Sequence, residues 1–493
     1  MNNLDNNINN IAKNSICMNY IERLETCYLN VFLKNIVFLL NISFIFFSEI
    51  ILYFMMFRSY DGCVKSVIHK LANENILYVK IFQALALNNH FGFINDEACF
   101  LKFADNAPWT ESDIDYNTLR QIEIDQCITI ENNFTPINSG MISLVFKGIR
   151  KNSNNKDKDK DKDGSIKEHV VIKMKRNNIE NILNDGIEKL LFCLYLCSFI
   201  PIINNYKISE VIHKNIDLIR HQTNFELELQ QMQQMKHNCR RLKYITIPQG
   251  FPEITEKWPN AIMMDYIQGK TIKDVEPQDN EKFAVLILKF VFLTLFMNGH
   301  CHGDLHTGNI LFIKELDSDL NDINDSESSK KNKYKYKICI LDFGIIYKIT
   351  KINDTLFYIF SNMGVISPRE IAENTLESGI IEPVDNITKL PKHHYENLTQ
   401  ILSDFINETV EVSGKLNQTN IFKVFFDLNE YLISNKLINN KISENNCNLY
   451  ASDDFIKFQM IFTMLHGVIL KLCKNRYIEL ANQVMCETFN LDF

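Results

Sequence analysis

Apolar and polar positions alternate along this chain in patterns that predict both strands and helices. Two β-branched runs, residues 143–149 and 170–174, flank a solvated segment at 151–168 in which Lys and Asp alternate. This arrangement is typical of a hairpin whose tip carries an insertion. Further along, apolar residues recur every three or four positions over 421–433 and 455–472, which predicts helices there.

A second hairpin is predicted from the same kind of pattern. Strand-like runs at 310–313 and 338–341 flank a segment at 316–337 that is rich in Asp, Asn, Ser and Lys. After residue 350 the pattern is mostly helical. The sequence therefore predicts a β-containing region followed by a helical one.

The most hydrophobic part of the chain is the run at 36–57, which is flanked by Lys34 and Arg58. It is long enough to cross a bilayer. Glu49 and Asn41 lie inside it, and polar groups are costly in hydrocarbon. We expect this segment to associate the protein with a membrane, as a span or as an anchor. A buried amphipathic helix is the alternative that the pattern also allows.

Composition narrows the functional classes. The chain has 493 residues and a net charge of −8, which argues against a protein built to coat nucleic acid. Its 13 cysteines have irregular spacing and lie mostly in apolar runs, so we interpret them as buried thiols in a reducing, intracellular compartment. The organelle is not indicated by these features.

The most informative segment is HGDLHTGNILF at 302–312, followed by LDFG with Asp342. An Asp followed five positions later by Asn, with a later Asp before Phe-Gly, is the pattern of kinase-like phosphotransferases. In that chemistry Asp304 would orient the attacking hydroxyl, and Asn309 and Asp342 would hold Mg²⁺ against the phosphates. The combined pattern points to phosphoryl chemistry more strongly than either motif alone.

Lys173 lies in the strand-like sequence VVIKMKR, where a Lys in a buried strand suggests pairing with phosphates. Its expected partner is a Glu on the helix predicted over 224–235, which offers Glu226 and Glu228. These two positions are on different faces, and the apolar positions leave Glu228 nearer the buried side. Without the downstream motifs, a surface Lys and a solvated Glu would be the simpler interpretation.

These residues resemble the UbiB/ADCK atypical kinases associated with coenzyme Q biosynthesis, from about Leu71 to Lys348. VVIKMKR, QTNFELELQQ, HGDLHTGN and LDFG are similar to the blocks of that family, and KIFQ at 80–83 is similar to its KxGQ block with Phe82 in place of Gly. The Ala-rich nucleotide loop of the family corresponds to Asn138, Ser139 and Gly140.

The resemblance implies an α+β, two-lobed protein-kinase-like fold with an N-terminal helical extension and a helical C-terminal lobe. It further implies binding of ATP or ADP with Mg²⁺, and a lipid or quinone-related small molecule as a candidate ligand. Nucleotide contacts would come from Asn138, Ser139, Gly140, Lys173, Lys80 and Gln83, and the catalytic set would be Asp304, Lys173 and Glu228. The metal ligands would be Asn309 and Asp342.

Two other functions remain open at this point. The catalytic loop is also similar to that of aminoglycoside and choline kinases, which phosphorylate soluble small molecules. A nucleotide-sensing scaffold without useful turnover is favoured by Phe82 and by the loss of the alanines of the nucleotide loop.

The motif order predicts one kinase-like unit with extensions. Its parts are a polar tail at 1–30, a hydrophobic segment at 31–60, a helical extension at 61–125, an N-lobe at 126–270 with the insertion 151–168, and a C-lobe at 271–493 with the insertion 316–337.

Overall fold

The computed structural model describes residues 28–75, 77–78, 107, 109–152, 166–197, 216, 219–316, 334–362, 365–411, 421–437, 448–474 and 476–490. The described residues fall into two compact units. One comprises those within Met1–Gln83 and Asn178–Asp217, and the other those within Ala84–Asn177 and Leu218–Phe493. Lys80, Gln83 and most of both predicted insertions lie outside the described residues.

The strands, in chain order, are β1 Ile128–Ile130, β2 Asn138–Ser139, β3 Ser143–Asn152, β4 Ile166–Lys175, β5 Ile245–Thr246, β6 Ala261–Asp265, β7 His300–His302, β8 Ile310–Leu316, β9 Tyr334–Ile340, β10 Ile346–Lys348, β11 Ile381–Glu382 and β12 Tyr450–Ala451. The α-helices are α1 Tyr28–Phe54, α2 Tyr60–Glu74, α3 Tyr116–Asp125, α4 Ile179–Cys197, α5 Phe225–Asn238, α6 Pro252–Lys257, α7 Asn280–Phe292, α8 Asn353–Ser361, α9 Pro368–Glu377, α10 Val384–Thr388, α11 Lys392–Glu411, α12 Ile421–Ser434, α13 Asp453–Leu472 and α14 Tyr477–Phe489. Both predicted hairpins and both predicted C-terminal helices are confirmed.

The sheet of the second unit has the order β1-β3-β4-β6, with β2 paired to β3. Strands β3 and β4 form a long antiparallel hairpin in which Val145 lies opposite Lys173. Because side chains alternate along a strand, Val170, Ile172 and Met174 face one way and are buried in a core below this sheet. Lys173 therefore faces the opposite side of the sheet, toward α5.

A larger core lies under the β8–β9 hairpin, whose strand β9 also pairs in parallel with β5. The helix α7 contributes its apolar positions to this core, including Phe283, Ile287 and Phe290. Strands β7 and β10 pair with His302 opposite Ile346, and they contribute Cys301 and Tyr347 to this core. The segments that carry the two predicted motifs thus leave well-packed strands, and this packing fixes their position.

The first unit contains α1, α2 and α4. The predicted hydrophobic run forms most of α1, and its Glu49 is buried. Glu49 accepts hydrogen bonds from Arg58 at 2.8 Å, from Lys70 at 2.7 Å and from Ser66 at 2.7 Å. The carboxylate that looked costly in the sequence is therefore neutralised by the loop after α1 and by α2.

Among the described residues, two helices are long and apolar enough to cross a membrane. They are residues 33–54 of α1 and the helix α13. The α13 segment contributes Phe458, Ile461 and Leu465 to the large core. A buried core helix can be equally long and apolar, so length and composition alone do not assign either helix to a membrane.

Candidate active site

Lys173 lies at the centre of an ion network formed by three separate elements. Its Nζ atom donates to Glu228 Oε1 at 2.6 Å and to Asp342 Oδ2 at 3.0 Å. Burial opposes the charge of the amine, but Asp342 and Glu228 outweigh it, and the pKa of Lys173 is raised. The amine is therefore held as a cation between two carboxyl groups.

Glu228 lies in the first turn of α5, where the side chain of Asn224 caps the helix by accepting from the N–H of Leu227. The apolar face of the helix carries Glu228 inward, whereas Glu226 is exposed. This confirms the facing predicted from the sequence. The same Oε1 atom also accepts from the backbone N–H of Phe343 at 3.3 Å.

The environment of Glu228 is unusual for a carboxylate. Its side chain is 2% exposed, and its Oε2 atom is buried with no hydrogen-bond partner among the described residues. Burial raises the pKa of Glu228, although Lys173 acts in the opposite direction. The side chain therefore depends on Lys173 for its charged form.

Asp342 has a left-handed backbone conformation, with φ of +56°. Among residues with a side chain, Asp and Asn accept this region most readily. Its Oδ1 atom accepts from the N–H of Gly344 at 3.0 Å, and its side chain remains 36% exposed. Burial favours the neutral acid, but Lys173 and the Gly344 N–H outweigh it, so the pKa of Asp342 is lowered.

His302 links the two predicted motifs. Its Nδ1 atom accepts from the N–H of Asp304 at 3.2 Å, and its Nε2 atom lies 3.2 Å from the carbonyl of Leu341 and is also bonded to the carbonyl of Asp342. Since Nδ1 accepts, the proton is assigned to Nε2, which donates to these carbonyls. Burial lowers the pKa of His302, which agrees with this neutral form.

Asn309 is tied to the same two segments. Its Nδ2 atom donates to the carbonyl of Asp304 at 2.9 Å, and its own carbonyl accepts from the N–H of Leu341 at 2.9 Å. With the amide nitrogen used in this way, Oδ1 is the atom that the side chain can offer to a cation. These contacts thus link the segments that carry Lys173, Glu228, Asp304, Asn309 and Asp342.

The approach of β7 to the segment after Asp342 requires a glycine. A Cβ atom built on Gly303 would lie 2.5 Å from Cγ2 of Ile345 and 2.6 Å from Cε2 of Tyr347. The N–H of Gly303 donates to the carbonyl of Ile345 at 2.9 Å. The glycine in HGD therefore has a packing reason in addition to any role in binding.

The predicted nucleotide loop comprises the short strand β2 and Gly140, and together with the residues up to Ser143 it forms the turn that leads into β3. Asn138 is exposed, whereas Ser139 is buried with its hydroxyl donating to the carbonyl of Ala107 at 2.6 Å. Gly140 donates its N–H to the carbonyl of Ser143 at 2.9 Å. Arg176, which sequence reasoning missed, contacts this turn, and an Arg directly after a buried strand was the available signal.

The oxygen atoms of Asp342 and Asn309 are of the type that Mg²⁺ prefers. Among the described residues, no group of three or more His, Cys, Asp or Glu side chains is placed to hold a metal ion. A cation bound by these two oxygen atoms would take its remaining ligands from phosphates and water.

Comparison with known proteins gives the class. Residues 160–366 match the ABC1 atypical kinase-like domain, and this range includes Lys173, Glu228, Asp304, Asn309 and Asp342. The predicted α+β kinase-like fold is confirmed. The match covers less than half of the chain, and it agrees with the resemblance to the UbiB/ADCK atypical kinases that the motifs indicated.

Individual relatives are distant. The chain is 24% identical over 241 residues to a probable protein kinase UbiB of Blochmanniella pennsylvanica, covering 45% of this chain and 40% of that protein. It is 23% identical over 171 residues to a mitochondrial ABC1 family protein of Schizosaccharomyces pombe, covering 33% of this chain and 24% of that protein. The match thus spans less than half of either relative.

Among solved structures, the complex of Rv3197 with erythromycin from Mycobacterium tuberculosis is 14% identical. The match covers 87% of this chain and 98% of that chain, with a TM-score of 0.45.

Proposed function

We propose that this protein is an ATP-binding, Mg²⁺-dependent atypical kinase or ATPase that works at a membrane and is linked to lipid or quinone metabolism. The observation that carries the proposal is the position of Lys173 between Glu228 and Asp342, at 2.6 and 3.0 Å. A buried amine held by a helix carboxylate beside an Asp-Phe-Gly segment is the arrangement that phosphoryl transfer requires.

Each residue would have a distinct role. Lys173, fixed by Glu228, would bind the nucleotide phosphates, and Asp342 and Asn309 would hold Mg²⁺. When bound, this cation would neutralise charge that develops on the transferred phosphoryl group. Asp304 would orient the attacking hydroxyl or water, while His302 keeps the Asp304 backbone fixed against the carbonyl of Leu341.

Membrane association is supported by the outward face of α1. Leu33, Val37, Leu40, Phe44, Phe47, Ile51 and Phe54 follow one another at alternating spacings of four and three residues, and each is at least 50% exposed. At 1.5 Å per residue this face is roughly 30 Å long, which matches the hydrocarbon thickness of a bilayer. A run of apolar residues this long is rare on a surface that faces water only.

The arrangement of α1 favours lying on the membrane over crossing it. Lys70 and Ser66 of the polar helix α2 contact Glu49 in the second half of α1, so a span would carry these groups into hydrocarbon. With α1 lying in the interface, its apolar face would meet lipid while Glu49 and its partners stay on the protein side.

The catalytic part of the proposal is tested by nucleotide binding and turnover. We expect MgADP and MgATP to bind the purified chain. In Asp342→Asn, Mg²⁺ should no longer strengthen the binding of either nucleotide. Asn suits the left-handed backbone at this position, so this variant removes the charge without distorting the loop. Asp385→Asn, in exposed α10, is the matched control.

Two outcomes would contradict the proposal. One is wild-type protein that binds no nucleotide in the presence of Mg²⁺, and the other is ATP hydrolysis that is equally fast in Asp342→Asn. Addition of lipid vesicles to the same assay tests whether a membrane component accepts the phosphoryl group or stimulates turnover.

A nucleotide-sensing scaffold is the second candidate, and one observation favours it. The N–H of Gly140 is bonded to Ser143, and the Ser139 hydroxyl is bonded to Ala107, so the turn offers fewer groups to phosphates than a glycine-rich loop does. Tight nucleotide binding without single-turnover transfer to lipid or protein acceptors would support this candidate.

A further inference from the structure

Arg176 is a buried arginine that reaches across to the predicted nucleotide loop. It follows β4 directly, three positions after Lys173, and is 9% exposed. Its Nη2 and Nε atoms donate to the carbonyl of Gly140 at 2.8 and 3.0 Å. Nη2 also donates to the hydroxyl of Ser139 at 2.9 Å. One guanidinium thus holds two consecutive residues of the turn.

The opposite side of the guanidinium is anchored as well. Nη1 donates to Asp113 Oδ2 at 3.0 Å, and the same carboxylate oxygen accepts from the N–H of Thr110 at 2.8 Å. The backbone N–H of Arg176 donates to the carbonyl of Ile142 at 2.9 Å. Backbone and side chain of one residue therefore hold the turn from both of its ends.

The turn lies at the end of the sheet that presents Lys173. Ser143, which closes the turn, is paired with Lys175, and Val145 is paired with Lys173. A turn that is already ordered binds a ligand without the entropic cost of becoming ordered at that moment. Gly140 is the one glycine between Asn138 and Ser143. This turn therefore has less backbone freedom than a glycine-rich loop, and the side chain of Arg176 holds it in place.

We infer that Arg176 is the positioning residue for the nucleotide loop, and that it sets nucleotide affinity by fixing the carbonyl of Gly140 and the hydroxyl of Ser139. This inference rests on the proposed function. Arg176 acts through the turn and through its connection to β4, and it is not assigned to the reacting atoms.

Two conservative variants separate positioning from simple stabilisation. Arg176→Lys keeps a cation that can pair with Asp113 but loses the planar fork that bonds two residues of the turn. Asp113→Asn loses the ion pair but leaves the bonds from Arg176 to Gly140 and Ser139 in place. A purely structural role predicts that both variants lower the unfolding midpoint and that neither selectively weakens nucleotide binding.

The first measurement is the dissociation constant for MgADP, with the unfolding midpoint recorded for each variant. We expect Arg176→Lys to weaken MgADP binding about tenfold, since one or two charge-assisted hydrogen bonds to the turn are lost. For Asp113→Asn we expect the dissociation constant to change less than about threefold. The ion pair that is lost lies on the side of the guanidinium opposite the turn. Equal dissociation constants for the two variants would overturn the inference.

The second measurement needs no nucleotide. Amide hydrogen exchange at Gly140, whose N–H is bonded to Ser143, should become faster in Arg176→Lys than in Asp113→Asn. Equal exchange in the two variants overturns the inference. If the wild type binds no MgADP, the proposed function fails, and the exchange experiment still decides whether Arg176 fixes the turn.

If Arg176→Lys does not fold, Ser139→Ala provides the deciding variant. It removes one acceptor of the guanidinium and leaves Arg176 paired with Asp113. Weaker MgADP binding together with faster exchange at Gly140 supports the inference. An unchanged dissociation constant with unchanged exchange overturns it.

Discussion

The Nζ atom of Lys173 lies 2.6 Å from Glu228 Oε1, and both side chains are buried. Breaking such a pair from one side leaves a charge without compensation, which costs more than the pair itself contributes. The site is therefore organised so that each charged group depends on the others, and the effects of single substitutions should not be additive.

Substitution of Lys173 by Met should destabilise the protein by about 3 kcal/mol, because Glu228 loses its counterion. The double variant Lys173→Met with Glu228→Gln should recover much of this loss, since the buried carboxylate is then absent. Neither Lys173→Met nor the double variant should bind nucleotide. Denaturant unfolding and MgADP titration of the four proteins of this cycle make the comparison. Additive free energies would show that the two side chains are not coupled in solution.

Substitution of Gly303 by Ala should distort the loop that carries Asp304 and Asn309. The added methyl group would lie 2.5 Å from Ile345 and 2.6 Å from Tyr347, so we expect a loss of about 1–3 kcal/mol from overpacking. Gly467→Ala is the matched control, because a Cβ at that position meets no atom within 4 Å. Thermal unfolding distinguishes the two, and equal midpoints would contradict the close approach described for β7.

The stability of the folded protein should depend on pH through Asp279. Burial favours its neutral form, but hydrogen bonds from Lys314 at 2.6 Å and Tyr336 at 2.7 Å outweigh burial, so the pKa of Asp279 is lowered. A lowered pKa means that the stabilisation is present above the unfolded value of about 3.9 and is lost as pH falls below it.

Asp279→Asn should therefore be less stable than wild type at pH 7, and this difference should shrink as the solution is acidified below about pH 4. Glu276→Gln serves as the comparison, because Glu276 contacts the same Lys314 at 3.3 Å and its pKa is lowered by that contact too, but its side chain is 48% exposed, so its effect on stability should be smaller. Unfolding free energies measured across this pH range provide the check. A difference that stays constant with pH would contradict the assigned coupling.

Charge placed on the outward face of α1 should abolish membrane binding. We expect wild-type protein to float with liposomes, and we expect Phe44→Glu combined with Phe47→Glu to remain in the soluble fraction, because each charge is costly at the lipid interface. Phe426→Glu is the control, since Phe426 is similarly exposed on α12. Flotation of the double variant at the wild-type level would refute the assigned face.

Much of the site was predictable because it depends on local patterns. The strand position of Lys173 and the inward facing of Glu228 follow from the alternation of apolar residues, and Asp304, Asn309 and Asp342 follow from motif spacing. What the sequence could not indicate are contacts between distant polar groups. The bonds from Arg176 to Gly140 and the pairing of Glu49 with Lys70 depend on tertiary packing, which no local period reveals.

The short strands could not be predicted from the sequence, and the reason is physical. Elements such as β2 and β7 contain two or three residues, too few to show an alternating pattern. They exist because neighbouring segments supply their hydrogen bonds, as β3 does for β2 and β10 does for β7. Motif similarity could assign the residues of these strands to the site, but their intrinsic strand propensity could not predict the strands.

The order in which the chain is made bears on Glu228. The ion pair with Lys173 joins residues 55 apart, whereas the bond to Phe343 joins residues 115 apart. At about 5–20 residues per second, a ribosome would need roughly ten seconds to extend the chain from Glu228 to Phe343. During this interval Lys173 and Glu228 would be present without Asp342, so the ion network could not be completed until the segment after β9 had been made.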